Sequence, residues 1–177
     1  MGTRTLRASL LVDARASLGE APLWDAAHQA LAWVDILAGT VHLTRADGTD
    51  STSFDIGRAV GAAMPAAAGG WLLADARGFT TLSEAGVAAP LLELLADAED
   101  TRFNDAKCDP RGRAWAGTIT SAMSPGSGTL YRLDAGPTAT PVLRGLTVSN
   151  GLGWSPDART LWFADSADPA IRGFDYD

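Results

Sequence analysis

Short apolar runs set between turn-forming clusters recur along the chain. Leu31-Ala32-Trp33-Val34-Asp35, Trp71-Leu72-Leu73-Ala74-Asp75, Arg113-Ala114-Trp115-Ala116-Gly117 and Thr160-Leu161-Trp162-Phe163-Ala164-Asp165 share one pattern. Their anchors lie roughly 40 to 47 residues apart, the spacing of a four-stranded propeller blade. A turn signal leads each run: Trp24-Asp25-Ala26-Ala27, Ala68-Gly69-Gly70, Asp109-Pro110-Arg111-Gly112 and Ser155-Pro156-Asp157-Ala158. Further strands are expected at Thr40–Thr44, Phe79–Leu82, Thr129–Leu133 and Ile171–Tyr176, and an N-terminal strand at Thr5–Asp13. The best helical stretch is Ala89–Ala98, but Pro90 interrupts it, and it reads equally as a strand with its loop.

Composition supports the same reading. The chain is 46% hydrophobic and 20% charged, enough apolar material for a packed core, and its 19 glycines and 9 prolines favour short strands and turns over helices. The fold class is therefore all-β, with propeller blades as the expected architecture and a two-sheet sandwich as the competing arrangement. At about 150 residues per domain, 177 residues fit one domain, yet they supply only about three and a half repeats.

Charge and cysteine usage narrow the function classes. A net charge of −7 argues against nucleic acid and anionic membrane surfaces, both of which need a basic face. No run approaches the roughly 20 apolar residues of a membrane span. The apolar stretch Ala8–Val12 is cut short by Asp13 with no cleavage-like region, so no signal peptide is expected. The single cysteine, Cys108, excludes an internal disulfide and is expected on a buried strand; together these points predict a cytoplasmic protein.

The repeat exposes a shared polar phase. Four positions before Trp24, Cys108 and Trp154 stand Glu20, Asn104 and Asn150, whereas the second repeat has small apolar residues there, Ala59 to Ala63. First strands of propeller blades line the central channel, so equivalent positions converge on one axis. Carboxylate and amide oxygens are hard ligands suited to Ca²⁺, Mg²⁺ or Mn²⁺. Taken singly, each residue has another reading: Asn150-Gly151 as a turn dipeptide, Asn104-Asp105 as an Asx turn, Glu20 as a solvated loop charge. Arg102 lies two residues before Asn104 and shares its face on an extended strand. It is placed either to hold ligand oxygens by forked hydrogen bonds or to pair with Asp100 or Asp105. His28 and His42 lack metal-ligand spacing, and Ser149 lacks a G-x-S-x-G context.

Four segments, Leu18-Gly19-Glu20-Ala21-Pro22-Leu23-Trp24, Arg102-Phe103-Asn104-Asp105-Ala106-Lys107, Trp115-Ala116-Gly117-Thr118 and Ser149-Asn150-Gly151-Leu152, resemble in order and interval the signatures of the SMP-30/gluconolactonase/regucalcin-like family. The resemblance implies a six-bladed β-propeller and a divalent-metal-dependent lactonase acting on sugar lactones. It implies that Glu20 and Asn150 bind the metal (Ca²⁺, Zn²⁺, Mn²⁺ or Mg²⁺) and that Arg102 and Asn104 contact substrate or metal-bound water. Two departures accompany it. An acidic residue that some members carry after the Ala-Gly-Thr strand is replaced by Ser121-Ala122. The family's remaining metal-binding aspartate, also its expected base, lies in a Pro-Asp-Gly segment for which the chain has no counterpart, since Pro156-Asp157 falls in the wrong repeat phase. The expectation is a single partial propeller domain over residues 1–177, lacking C-terminal blades, with no assignable catalytic base, impaired lactone hydrolysis and self-association through exposed blade edges. The alternatives are a non-catalytic calcium-binding or regulatory propeller and an interaction module completed by a second chain.

Overall fold

The computed structural model describes residues 5–49 and 51–176, none of which is helical. Fifteen strands form four separate antiparallel sheets. The first holds β1 (Gly19–Asp25), β2 (Ala30–Asp35), β3 (Thr40–Arg45) and β4 (Ser51–Asp55). The second holds β5 (Val60–Pro65), β6 (Trp71–Asp75), β7 (Phe79–Leu82) and β8 (Ala88–Leu92). The third holds β9 (Thr101–Cys108), β10 (Ala114–Thr120), β11 (Gly128–Asp134) and β12 (Thr138–Leu146), and the fourth holds β13 (Ser149–Trp154), β14 (Thr160–Asp165) and β15 (Ile171–Asp175). Strand order follows sequence order in every sheet, so each is a meander, and the sheets ring an axis as propeller blades do. This arrangement excludes the two-sheet sandwich.

Three cores lie between successive sheets. Val34, Val41, Val60, Trp71 and Leu73 meet between the first and second. Met64, Phe79, Phe103 and Ala116 fill the gap between the second and third, and Trp115, Leu130, Leu161, Phe163 and Tyr176 that between the third and fourth. Each large apolar side chain buried this way contributes about 1.5–3 kcal/mol, so face-to-face stacking of sheets is the main stabilising term. β10 is buried along its whole length because both its faces are covered, while the outer strands β4 and β15 stay largely exposed.

One strand expectation is corrected. Thr5–Asp13 forms no strand: it pairs with no ladder among the described residues and instead runs beside the first sheet, where Leu10, Leu11 and Val12 border an apolar hollow of about 430 Å³ with Leu31 and Trp33. Of the two readings of Ala89–Ala98, the strand with its loop is the one found: Ala88–Leu92 is β8 and turns follow, as the proline interruption allows. Among the described residues no helix is long and apolar enough to cross a membrane.

Aspartates hold the strand entries. Asp35 at the end of β2 accepts hydrogen bonds from the N–H groups of Ser17 (2.7 Å) and Leu18 (3.0 Å), just before β1. Asp165 at the end of β14 accepts from Thr147 (2.8 Å) and Val148 (2.9 Å), just before β13. Asp25 receives the indole N–H of Trp71 at 3.1 Å, and Asp109 that of Trp115 at 2.8 Å. Burial opposes ionisation at all four, but hydrogen-bond donors prevail, His28 foremost at Asp25, and hold each carboxyl below its ordinary value. A folded-state pKa below the unfolded one means stability is complete above the unfolded value and is lost as pH falls through the folded one. Urea unfolding followed from about pH 6 to about pH 3 is therefore expected to show falling stability, with a shallower fall in Asp35→Asn. An unchanged slope in that variant would contradict the assignment.

Candidate functional site

The first strands of the sheets, β1, β5, β9 and β13, approach one another closely, and small residues permit it. A Cβ on Gly61 of β5 would lie 2.6 Å from the Phe103 carbonyl oxygen of β9, and one on Gly117 of the adjoining β10 would lie 1.7 Å from the Ser149 hydroxyl of β13. Each inner strand also slips register once: between Glu20 and Leu23, between Val60 and Ala62, opposite Gly117/Thr118 at Asn104, and between Asn150 and Leu152. Such bulges re-aim side chains and are common beside functional sites.

The slips decide between the readings left open by the sequence. Asn104-Asp105 forms no Asx turn but lies within β9, and Asn150-Gly151 lies within β13. Gly151 keeps the left-handed backbone (φ +60°) that Asn-Gly favours in turns, here used in a bulge. Glu20 lies on β1 with an exposed side chain that makes no hydrogen bond or ion pair among the described residues. Arg102 pairs with neither Asp100 nor Asp105; its Nη1 donates to the Phe103 carbonyl and to Asn104 Oδ1, both at 3.0 Å. In the second repeat, where the oxygen donor is missing, Arg58 precedes β5 and is tied down by Asp75.

Glu20 and Asn150 line one cleft of about 290 Å³ together with Asp105, Lys107, Gly151 and Leu152. Arg102 and Asn104 lie on β9, whose Asp105, Ala106 and Lys107 line the cleft, but do not line it themselves. Asn104 Nδ2 donates to the Ser149 carbonyl at 3.1 Å, and Asn150 Nδ2 donates to the Ser166 hydroxyl at 3.0 Å. Glu20 also borders the larger hollow under the N-terminal segment, but that hollow is mainly apolar and its Asp13 and Arg15 pair with each other, so the smaller cleft, where Glu20 meets Asn150 and Asp105, carries the convergent polar groups.

Asp105, like Lys107, is a charged cleft residue that sequence reasoning did not single out. Its Oδ2 accepts the Gly151 N–H at 2.9 Å. Burial pushes its carboxyl above the ordinary aspartate value, with the nearby Glu20 charge adding to the rise and the Gly151 and Ala106 N–H groups opposing it. Its only sequence signal is its place after Asn104, where simple alternation aims it at the other face. Burial also lowers the Arg102 pKa, against the opposing attraction of Glu20. Asp157 is confined to the β13–β14 turn by Ser155 and Arg159, away from the cleft. Ser121 follows β10 and bonds the Asp100 carbonyl, and the Cys108 thiol faces Met64. Cys108 ends β9 only half-buried, short of the buried position expected. His28 leans on Asp25 in a turn and His42 stacks on Trp33.

Comparison with known proteins places this architecture. The chain is 36% identical over 162 residues to a 6-deoxy-6-sulfogluconolactonase of Pseudomonas putida, covering 90% of this chain and 55% of that protein. It is 29% identical over 175 residues to regucalcin of Danio rerio, covering 98% of this chain and 59% of that one. The crystal structure of a calcium-binding protein, regucalcin from Agrobacterium tumefaciens, superposes with a TM-score of 0.86 at 26% identity, over 92% of this chain and 55% of that one. The chain thus spans less than two thirds of the length of these relatives. The model of the SMP-30/Gluconolactonase/LRE-like region matches residues 18–177, nearly the whole chain, and the chain belongs to that family.

Proposed function

We propose that the chain forms part of a divalent-cation-dependent hydrolase of sugar lactones, about three and a half blades of a six-bladed ring, in which Glu20 and Asn150 hold the cation and Arg102 and Asn104 engage the substrate. The observation that carries this reading is the meeting of Glu20 from β1 and Asn150 from β13, strands far apart in sequence, in one cleft.

The donor chemistry fits a hard cation. Both side chains offer oxygen, Glu20 has no protein partner among the described residues, and no imidazole or thiolate lies in the cleft, which suits Ca²⁺, Mg²⁺ or Mn²⁺ better than Zn²⁺. Among the described residues no three His, Cys, Asp or Glu side chains gather to hold a metal, so water would complete most of the coordination. Affinity for hard cations grows with ligand charge and number, and the 177-residue polypeptide is expected to bind weakly and turn over lactone slowly. When bound, such an ion polarises a lactone carbonyl and stabilises the developing oxyanion.

The chain's own residues orient the substrate. Arg102 uses one guanidinium nitrogen internally and retains donors for hydroxyl or carbonyl oxygens. No residue is assigned as the base that activates the attacking water. The family to which the chain belongs, and a sulfogluconolactonase among its relatives, support a lactone as substrate.

Calcium titration by calorimetry alongside a gluconolactone hydrolysis assay tests the reading. Glu20→Gln is expected to lower Ca²⁺ affinity at least tenfold, equal to about 1.4 kcal/mol, and to remove metal-stimulated hydrolysis. Unaltered affinity in Glu20→Gln would overturn the site. Ca²⁺ binding without lactone turnover in a chain of the relatives' full length would replace the enzyme reading with a calcium-binding propeller.

A further inference from the structure

The two β9 side chains beside the cleft grip the backbone on both sides of Asn150. Asn104 Nδ2 donates to the carbonyl of Ser149, the residue before it, at 3.1 Å, and Asp105 Oδ2 accepts the N–H of Gly151, the residue after it, at 2.9 Å. Consecutive strand residues ordinarily face opposite sides, so two neighbours reaching one strand requires the slip at Asn104. The amide of Asn104 is itself turned by Arg102, whose Nη1 donates to Asn104 Oδ1 at 3.0 Å and thereby commits Nδ2 to the Ser149 carbonyl.

The gripped segment needs an external hold. Gly151 sits at φ +60°, and the register between β13 and β14 is broken from Asn150 to Leu152. A bulged residue leaves the ladder and loses its regular partners. The Gly151 N–H is shared, reaching Oδ1 of Asn150 itself at 3.1 Å as well as Asp105 Oδ2 at 2.9 Å. Without Asp105 the whole hydrogen bond would fall to the Asn150 oxygen and draw it further onto its own backbone.

From this geometry we infer that Arg102, Asn104 and Asp105 act as a cross-blade clamp that positions Asn150 in the cleft, with Asp105 taking the shorter branch of the shared Gly151 N–H and so limiting how far the Asn150 oxygen is drawn onto it. Asp105 is thus a positioning residue. The inference rests on the proposed cation site for its consequence, but the clamp has a readout of its own.

Two substitutions separate acceptor from charge. Asp105→Asn retains a side-chain oxygen to accept the Gly151 N–H, whereas Asp105→Ala retains none. In metal-free protein, amide hydrogen exchange at Gly151, followed by NMR, is expected to accelerate at least tenfold in Asp105→Ala and to stay within about threefold of wild type in Asp105→Asn, with exchange in β10 and β14 unchanged in both. Titration with Ca²⁺ alone is expected to show the same order: a fivefold or greater loss of affinity in Asp105→Ala, and less than about threefold in Asp105→Asn. Unchanged Gly151 exchange in Asp105→Ala would overturn the clamp, as would equal affinity losses in the two variants, which would make the carboxylate a charge or ligand. Wild-type protein that binds no Ca²⁺ would remove the proposed cation site, and the exchange comparison would still decide the clamp.

Discussion

Replacing Asp75 with alanine is expected to lower the unfolding free energy by about 3–5 kcal/mol, the cost of breaking a buried ion pair from one side. Asp75 is fully buried, and its Oδ2 takes Arg58 Nη2 at 2.8 Å and Nε at 2.9 Å, with the Thr80 hydroxyl at 2.7 Å. Its Oδ1 takes the N–H groups of Arg77 at 2.8 Å and Gly78 at 3.1 Å. Alanine strands two backbone donors and a half-buried guanidinium at once. Asp75→Asn keeps an oxygen acceptor but removes the charge, so a smaller loss is expected. Urea denaturation of the two variants checks the order, and equal losses would mean that the Arg58 charge contributes little. The effect reaches the channel because Arg58 stands just before β5, whose Gly61 abuts the Phe103–Asn104 backbone.

The second large effect is expected at Gly117. A methyl group there would lie 1.7 Å from Ser149 Oγ and 2.4 Å from its Cβ, distances no rotamer of so short a side chain relieves. Gly117→Ala is therefore expected to cost about 3 kcal/mol, at the upper end for overpacked sites. Ser149→Gly removes the colliding atoms, including a buried hydroxyl with no hydrogen-bond partner. The double variant is expected to recover part of the loss, with a coupling energy on the order of 1–3 kcal/mol measured by a double-mutant cycle. Additive losses would show that the two positions do not share the strain. Because Ser149 precedes Asn150, Gly117→Ala is also expected to weaken Ca²⁺ binding, and Ser149→Gly to restore part of it.

The strands were readable from the sequence wherever an apolar run met a strong turn signal. Trp71–Asp75, Phe79–Leu82 and Thr160–Asp165 are strands over the ranges their patterns predict. The reason is local: these runs pack on neighbouring sheets, and glycine, proline or Asx residues end them. Thr5–Asp13 failed because a strand needs a partner edge as well as a pattern, and the residues described supply none beside it. The repeating aspartates Asp35, Asp75 and Asp165 were visible as pattern, while their task of holding strand entries was not. At Asp35 and Asp165 that task depends on which loop folds back onto them, and at Asp75 on the turn into β7.

The sequence by itself determined the all-β class, the family, and the shared phase that singled out Glu20, Asn104 and Asn150, since periodicity and motif order are properties of the chain alone. The tertiary structure decided which of those residues share a cleft, and it added Asp105. It also turned Arg102 inward, onto Asn104 rather than an acidic partner. Strand alternation assigns a residue to a face, but a bulge shifts that assignment by one position, and only the packed inner strands determine where the bulge falls.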